Sequence, residues 1–235
     1  MHYFYEEQLV PTTSETTLAE QESKHALKVL RMQVGQAISL LDGKGGLYEG
    51  VISAAVGKKC QVNIHSYTKQ APTRTHRIHI AIAPTKNMDR TEWFVEKAVE
   101  LGVDAISFIL TRYSERKVLK MDRIYKTAVA AMKQSGNFYL PQFQELTKFE
   151  TFLGTVLEPH KFMAYVPADP TNTLFKSAIQ GNTCVLVGPE GGFSEAEVQL
   201  AQQHGFKAVS LGKRRLRTET AGIAACHLLN LKMEV

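Results

Sequence analysis

The stretch LVGPEGGFSE, residues 186–195, decides how this chain is read. An apolar run ending at Val187 enters Gly188-Pro189-Glu190-Gly191-Gly192. Three glycines and a proline in five residues cannot continue a helix or a strand. Ser194 and Glu197 then stand at the Ser-x-x-Glu spacing of a capping box, so a helix is expected to start at Ser194. The loop therefore offers backbone N–H groups and little side chain at the end of a buried strand. One strand later, SLGKRRLRTETAG (210–222) follows the same plan. A strand ends at Gly212, a basic loop follows, and Thr218 or Thr220 caps the last helix.

Working outward, strand and helix alternate from Arg77 to the C-terminus. Strands are expected at RIHIAIA (77–83), AISFIL (105–110), KFMAYV (161–166), CVLVG (184–188) and KAVSLG (207–212). Helices are expected over 89–103, 122–136, 171–181, 194–205 and 218–232. In the first of these, Trp93, Val95, Ala98, Val99 and Leu101 make the apolar stripe and Gly102 ends it. Such alternation implies an α/β domain, a parallel sheet with helices on both faces, over 77–235. Residues 1–70 read differently. A helix is expected over QESKHALKVLRM (21–32), with Ala26, Leu27, Val29 and Leu30 apolar. Strands follow in QAISLLDGKGGLYEGVISAAV (36–56) and KKCQVNIHSYT (58–68), with Asp42-Gly43 and Gly45-Gly46 supplying turn conformations. Several short strands in so few residues suggest a small β-barrel. APTRTH (71–76), polar around Pro72, reads as a linker.

Composition bounds the function. The chain has 235 residues, 44% apolar and 22% charged, an ordinary globular balance. It shows neither a membrane-spanning run nor a secretion signal, and its three scattered cysteines suit a reducing cytoplasm. No metal-ligand spacing, Walker loop, dinucleotide fingerprint or serine-hydrolase elbow occurs. The formal charge is +5, unevenly placed. It gathers around Lys24, Lys28 and Arg31, around Arg112, Arg116, Lys117, Lys120 and Arg123, and in Lys213, Arg214, Arg215 and Arg217. Each cluster alone is compatible with a solvated face. Together, beside two ligand-grade loops, they point to a polyanion such as RNA.

VLVGPEGGFSEAEV followed by LGKRRLRTETAGIAA resembles the knotted SPOUT methyltransferases. More closely, the chain resembles the bacterial family that methylates N3 of a uridine in 16S ribosomal RNA. HALKVLRMQVGQAISLLDGKG resembles that family's PUA-like RNA-binding domain, and EKAVELGV, TRYSER and AVAAMKQSG occur in the family's order. The likeness covers nearly the whole chain. It departs at Lys133 and Asn137, and at Lys213 and Arg215.

The resemblance implies a trefoil knot in the C-terminal domain that binds S-adenosylmethionine. Carried over residue by residue, Gly188, Pro189, Glu190, Gly191 and Gly192 form one wall of the cofactor site. Leu211, Gly212, Leu216, Arg217 and Thr218 form a second, and Val166 and Pro167 the third. It also implies a homodimer; the apolar Ile223, Ala224, Leu228 and Leu231 of the last helix serve either that interface or, equally, the core of their own subunit. Uracil N3 carries a proton at neutral pH, so the reaction needs that proton removed or the uracil anion stabilised. Glu219 is the candidate base, or else a helix first-turn acid, and Arg217 the candidate partner of the anion. Lys28, Arg31, Arg112 and Arg116 are the candidate phosphate contacts. Two other readings stand beside this one: a methyltransferase acting on another RNA or on a ribose hydroxyl, and a non-catalytic RNA-binding assembly factor.

Overall fold

The computed structural model describes residues 2–166, 168–169 and 171–233. Contacts divide the chain into two units, residues up to 73 together with 129–140, and residues 74–128 together with 141 onward.

The N-terminal unit is built on a five-stranded sheet in the order β1-β3-β4-β5-β2. Its strands are β1 (Tyr3–Tyr5), β2 (Glu15–Thr17), β3 (Ala37–Leu41), β4 (Gly46–Val56) and β5 (Lys59–Lys69). β3, β4 and β5 form an antiparallel meander, and β1 runs parallel to β3. Asp42 closes the β3–β4 turn: Oδ1 accepts from the N–H groups of Lys44 and Gly46, and Oδ2 accepts from the Tyr48 hydroxyl. The expected helix forms as a short α1 (Glu20–Lys24) that widens into a π-turn, His25–Val29. Ala26 is buried, and Leu27 and Leu30 pack against the core with it. Val29 is exposed, because the wider turn takes it off the face that a regular helix would bury. Glu22, buried in α1, pairs with Lys133 at 2.5 Å, which gives the departure at 133 a partner.

The other unit carries a six-stranded, wholly parallel sheet in the order β11-β9-β10-β6-β7-β8. The strands are β6 (Ile78–Ile82), β7 (Ala105–Leu110), β8 (Gln142–Lys148), β9 (His160–Ala164), β10 (Thr183–Val187) and β11 (Lys207–Val209). The central pair, β6 and β10, is buried at every position, as expected for a sheet covered on both faces. The helices are α2 (Met88–Glu100), α3 (Met121–Ser135, whose second half groups with the first unit), α4 (Phe149–Leu153), α5 (Glu195–Gln203) and α6 (Thr218–Met233).

Several expectations change. Trp93 is 44% exposed, and the buried stripe of α2 runs through Thr91, Phe94, Val95, Ala98 and Val99 instead. Over 171–181 a single 3-10 turn forms, Leu174–Lys176, because residues 172–174 hydrogen-bond alongside Ser210 rather than coil. Strand β8 and helix α4 had no sequence expectation. Arg74, within the expected linker, is pinned: its guanidinium bonds Asp104, Asn230 and the Gly102 carbonyl.

Candidate active site

Loops leaving the carboxyl ends of the neighbouring strands β11, β9 and β10 enclose a cavity of about 760 Å³. This is where ligands of open parallel sheets sit. The loop after β9 brings Val166 to it; Pro167, expected beside it, lies outside the described residues. The loop after β10 brings Gly188, Pro189, Glu190, Gly191 and Gly192. The loop after β11 brings Leu211, Gly212, Leu216, Arg217 and Thr218. Sequence reading had not placed Tyr165 or Ser210 at the site, and had read the exposed Lys213, Arg214 and Arg215 only as a basic cluster; all five line the same cavity. Their signal was adjacency to the glycines, which side-chain type alone does not announce.

The loops hold their shape through few, specific contacts. Gly191 packs against Tyr113 so closely that a Cβ there would lie 2.8 Å from the tyrosine Cβ. Gly212 has φ +130°, a conformation that favours glycine, and a Cβ there would meet no atom within 4 Å. Ser210 Oγ accepts from the Gly212 N–H at 3.1 Å and donates to its carbonyl at 3.0 Å. Thr218 Oγ1 donates to the Gly188 carbonyl at 3.0 Å, tying the start of α6 to the glycine loop. At α5 the capping box forms: Glu197 Oε2 accepts from Ser194 N–H, and Ser194 Oγ accepts from Glu197 N–H. The other oxygen of Glu197 accepts from Arg112 N–H at 2.7 Å, so this one carboxylate also anchors the TRYSER segment.

Glu190 Oε1 accepts from Lys86 N–H at 3.1 Å. On the same loop, the Arg116 guanidinium donates to the carbonyls of Thr85 at 3.1 Å and Lys86 at 2.6 Å. The β6–α2 loop is thus clamped between the glycine loop and Arg116. Arg116, expected at phosphate, spends these donors inside its own chain. Arg112 is exposed, its guanidinium 5.6 Å from the centre of the Tyr113 ring. Lys28 and Arg31 are exposed on the N-terminal unit. Arg217 is exposed on the cavity wall. Glu219 is buried one residue behind Thr218 and does not itself line the cavity.

A second pocket, about 430 Å³, opens at the amino ends of β6, β7 and β8. His79 bridges it: Nδ1 lies 2.8 Å from Glu158 Oε1 and Nε2 2.7 Å from Ser107 Oγ, which continues to Gln144 Oε1 at 3.0 Å. Burial pushes the Glu158 carboxyl up, but the hydrogen bond and charge of His79 outweigh it and hold the group below its ordinary value. The three cysteines are free and buried. Burial pushes Cys226 up to about 12 and Cys184 well above its ordinary value, so neither is poised as a nucleophile. Among the described residues no three His, Cys, Asp or Glu side chains group to hold a metal, and no helix is long and apolar enough to cross a membrane.

Residues 72–230 match the family model of the RNA methyltransferase domain, and residues 18–64 match that of the RNA methyltransferase PUA domain. The chain belongs to the RNA methyltransferase family. Ribosomal RNA small subunit methyltransferase E of Synechocystis is 30% identical over 97% of this chain and 76% of its own length. A Legionella pneumophila structure with bound S-adenosylmethionine superposes with a TM-score of 0.91, at 29% identity, over 98% of this chain and 97% of that one. The small subunit methyltransferase E of Neisseria gonorrhoeae, also bound to S-adenosylmethionine, gives a TM-score of 0.88 at 28% identity, covering 99% of this chain and 98% of that one. In this family member, then, the three loops at the carboxyl ends of β9, β10 and β11 stand where the fold places a ligand.

Proposed function

We propose that this protein transfers a methyl group from S-adenosylmethionine to N3 of a uridine in small-subunit ribosomal RNA. The observation that carries the reading is the cavity itself, which gathers the described residues expected at the cofactor from three separate loops. Its volume suits a cofactor of this size. The open space at Gly212, with no atom within 4 Å of a Cβ position, is room that a side chain would take from a ligand. S-adenosylmethionine held there would supply the methyl group, its carbon–sulfur bond breaking with the electron pair left on sulfur.

The chain's own residues bind, orient and handle charge. Gly188 to Gly192 and Leu211 to Gly212 would lie against adenine and methionine through backbone groups. Arg217 stands at the wall where a uracil anion would need a cation. Glu219, one residue behind the wall, would take the N3 proton. Lys28, Arg31 and Arg112 are the exposed cations for RNA phosphates, while Arg116 serves by holding the β6–α2 loop. The same reading has a trefoil knot drawing the three loops together. The strand order supports it: β10 lies between β9 and β6, yet β11 lies on the far side of β9. It also has two copies paired through α6, where Leu231 is 48% exposed, in the cytoplasm where ribosomes are assembled.

The test is methyl transfer from isotope-labelled cofactor to undermethylated small subunits, followed by nucleoside analysis of the RNA. 3-Methyluridine is the expected product. A labelled ribose 2′-O-methyl nucleoside, or label in transfer RNA only, would replace the substrate assignment. Cofactor binding without any transfer would leave an RNA-binding assembly factor.

A further inference from the structure

The contact between α2 and α6 sets the position of two charged groups. Gly222 of α6 meets Phe94 of α2 so closely that a Cβ there would lie 2.5 Å from the phenylalanine ring. About one turn earlier on each helix, Arg90 meets Glu219, with 3.9 Å between Nε and Oε1. The two pairs fall in the same order along both helices, so the glycine that lets the helices approach also lets this ion pair form. Glu219 is only 6% exposed, and its Oε2 has no hydrogen-bond partner. A buried carboxylate oxygen without a donor is costly, and few persist without a use.

Arg90 is well placed to hold that carboxyl group through its other oxygen, Oε1. The acids beside it on α2 are engaged elsewhere: Arg123 bonds Glu92 at 2.7 Å and lies 3.9 Å from Asp89. The 3.9 Å separation from Glu219 is a charge contact rather than a hydrogen bond, so it neutralises the carboxylate without occupying Oε2. The two residues that precede Glu219, Arg217 and Thr218, both line the cofactor cavity.

We propose that Arg90 is a positioning residue for methyl transfer, holding Glu219 as a carboxylate whose unpaired oxygen is left for an N–H donor. Under the function proposed above, on which this inference rests, the donor is uracil N3. The proton passes from N3 to Glu219 Oε2, and the electron pair left on N3 takes the methyl group.

The test is a double-mutant cycle on Arg90→Ala, Arg90→Lys, Glu219→Gln and the Arg90→Ala/Glu219→Gln pair, each assayed on small subunits and titrated with S-adenosylmethionine. Arg90→Ala is expected to lower kcat roughly tenfold or more, with KM for RNA and cofactor affinity little changed. Arg90→Lys is expected to recover most of the rate. Glu219→Gln is expected to be slower still, and the double variant no slower than Glu219→Gln alone, because the two residues act as one unit. A raised KM for RNA at unchanged kcat would make Arg90 a phosphate contact and overturn the proposal. So would additive losses in the double variant, or a normal rate for Glu219→Gln in an active enzyme. If Arg90→Ala and Arg90→Lys both lose cofactor affinity and melting temperature, the role is structural and the proposal falls. A wild-type protein that binds the cofactor and transfers no methyl group removes the proposed function and this inference together.

Discussion

The two ends of the parallel sheet are built on opposite principles. At the carboxyl ends the 760 Å³ cavity is walled by glycines, main chain and a run of exposed cations on the loop from Lys213 to Arg217. At the amino ends the 430 Å³ pocket is walled by polar side chains that satisfy one another, Glu158 to His79 to Ser107 to Gln144. A Glu–His–Ser chain resembles a hydrolase relay in outline. Here Ser107 also bonds Gln144 and stands within strand β7, so the chain joins β6, β7 and β8 as a structural network. The lesson is that recognition capacity lies where side chains are withheld and charge is left unspent. Mutual satisfaction of buried polar groups marks an internal joint.

That contrast can be broken by mutation. Gly212→Val places a branched side chain in a left-handed backbone and in the open space of the cavity. It is expected to weaken S-adenosylmethionine binding by about 10- to 100-fold, read by calorimetric titration, with the fold retained. Unchanged affinity would move the cofactor elsewhere. At the opposite end, His79→Ala leaves Glu158 without its partner and takes one of the two bonds of Ser107, and should cost about 3 kcal/mol of stability, read by denaturant unfolding. Cofactor affinity should not move; if it does, the two ends are coupled and the contrast fails.

Glu158→Gln sharpens the same point through pH. The Glu158 carboxyl is held low in the folded protein, so it contributes stability above its unfolded value and loses it as pH falls through the lower folded one. The variant should therefore melt below the wild type at neutral pH. The gap should close in the acid range below about pH 4, the ordinary carboxylate region. A gap that stays constant with pH would assign the effect to packing. The smallest change is expected from Thr218→Val, which removes one hydrogen bond to the Gly188 carbonyl. It should cost about 1 kcal/mol of stability and loosen cofactor binding by only a few-fold.

Much of this architecture was legible because its signals are local. The capping box at Ser194 and Glu197 formed as its spacing foretold, and the alternation after Arg77 yielded a parallel sheet. Signals failed where tertiary context outweighed periodicity. Strand β8, QFQELTK, has too few apolar residues to announce itself, because as an edge strand it pairs on one side only. Trp93 lies within the helical stripe by spacing, yet Phe94 takes the buried place, facing the gap left by Gly222.

By itself, then, the sequence determined most of the things that depend on neighbours in the chain: the strong strands and helices, the helix start at Ser194, and where glycine leaves the backbone bare. It also carried enough family pattern to name the reaction class. Only the tertiary structure decided which polar and charged groups meet. Glu197 with the Arg112 amide, Glu22 with Lys133, Glu158 with His79 and Glu219 with Arg90 are separated by dozens of residues and follow no spacing rule. Each depends on which distant segments the fold packs together. The physical reason is range: backbone propensity and capping act over a few residues, whereas a charge pair forms only after burial has brought distant segments together.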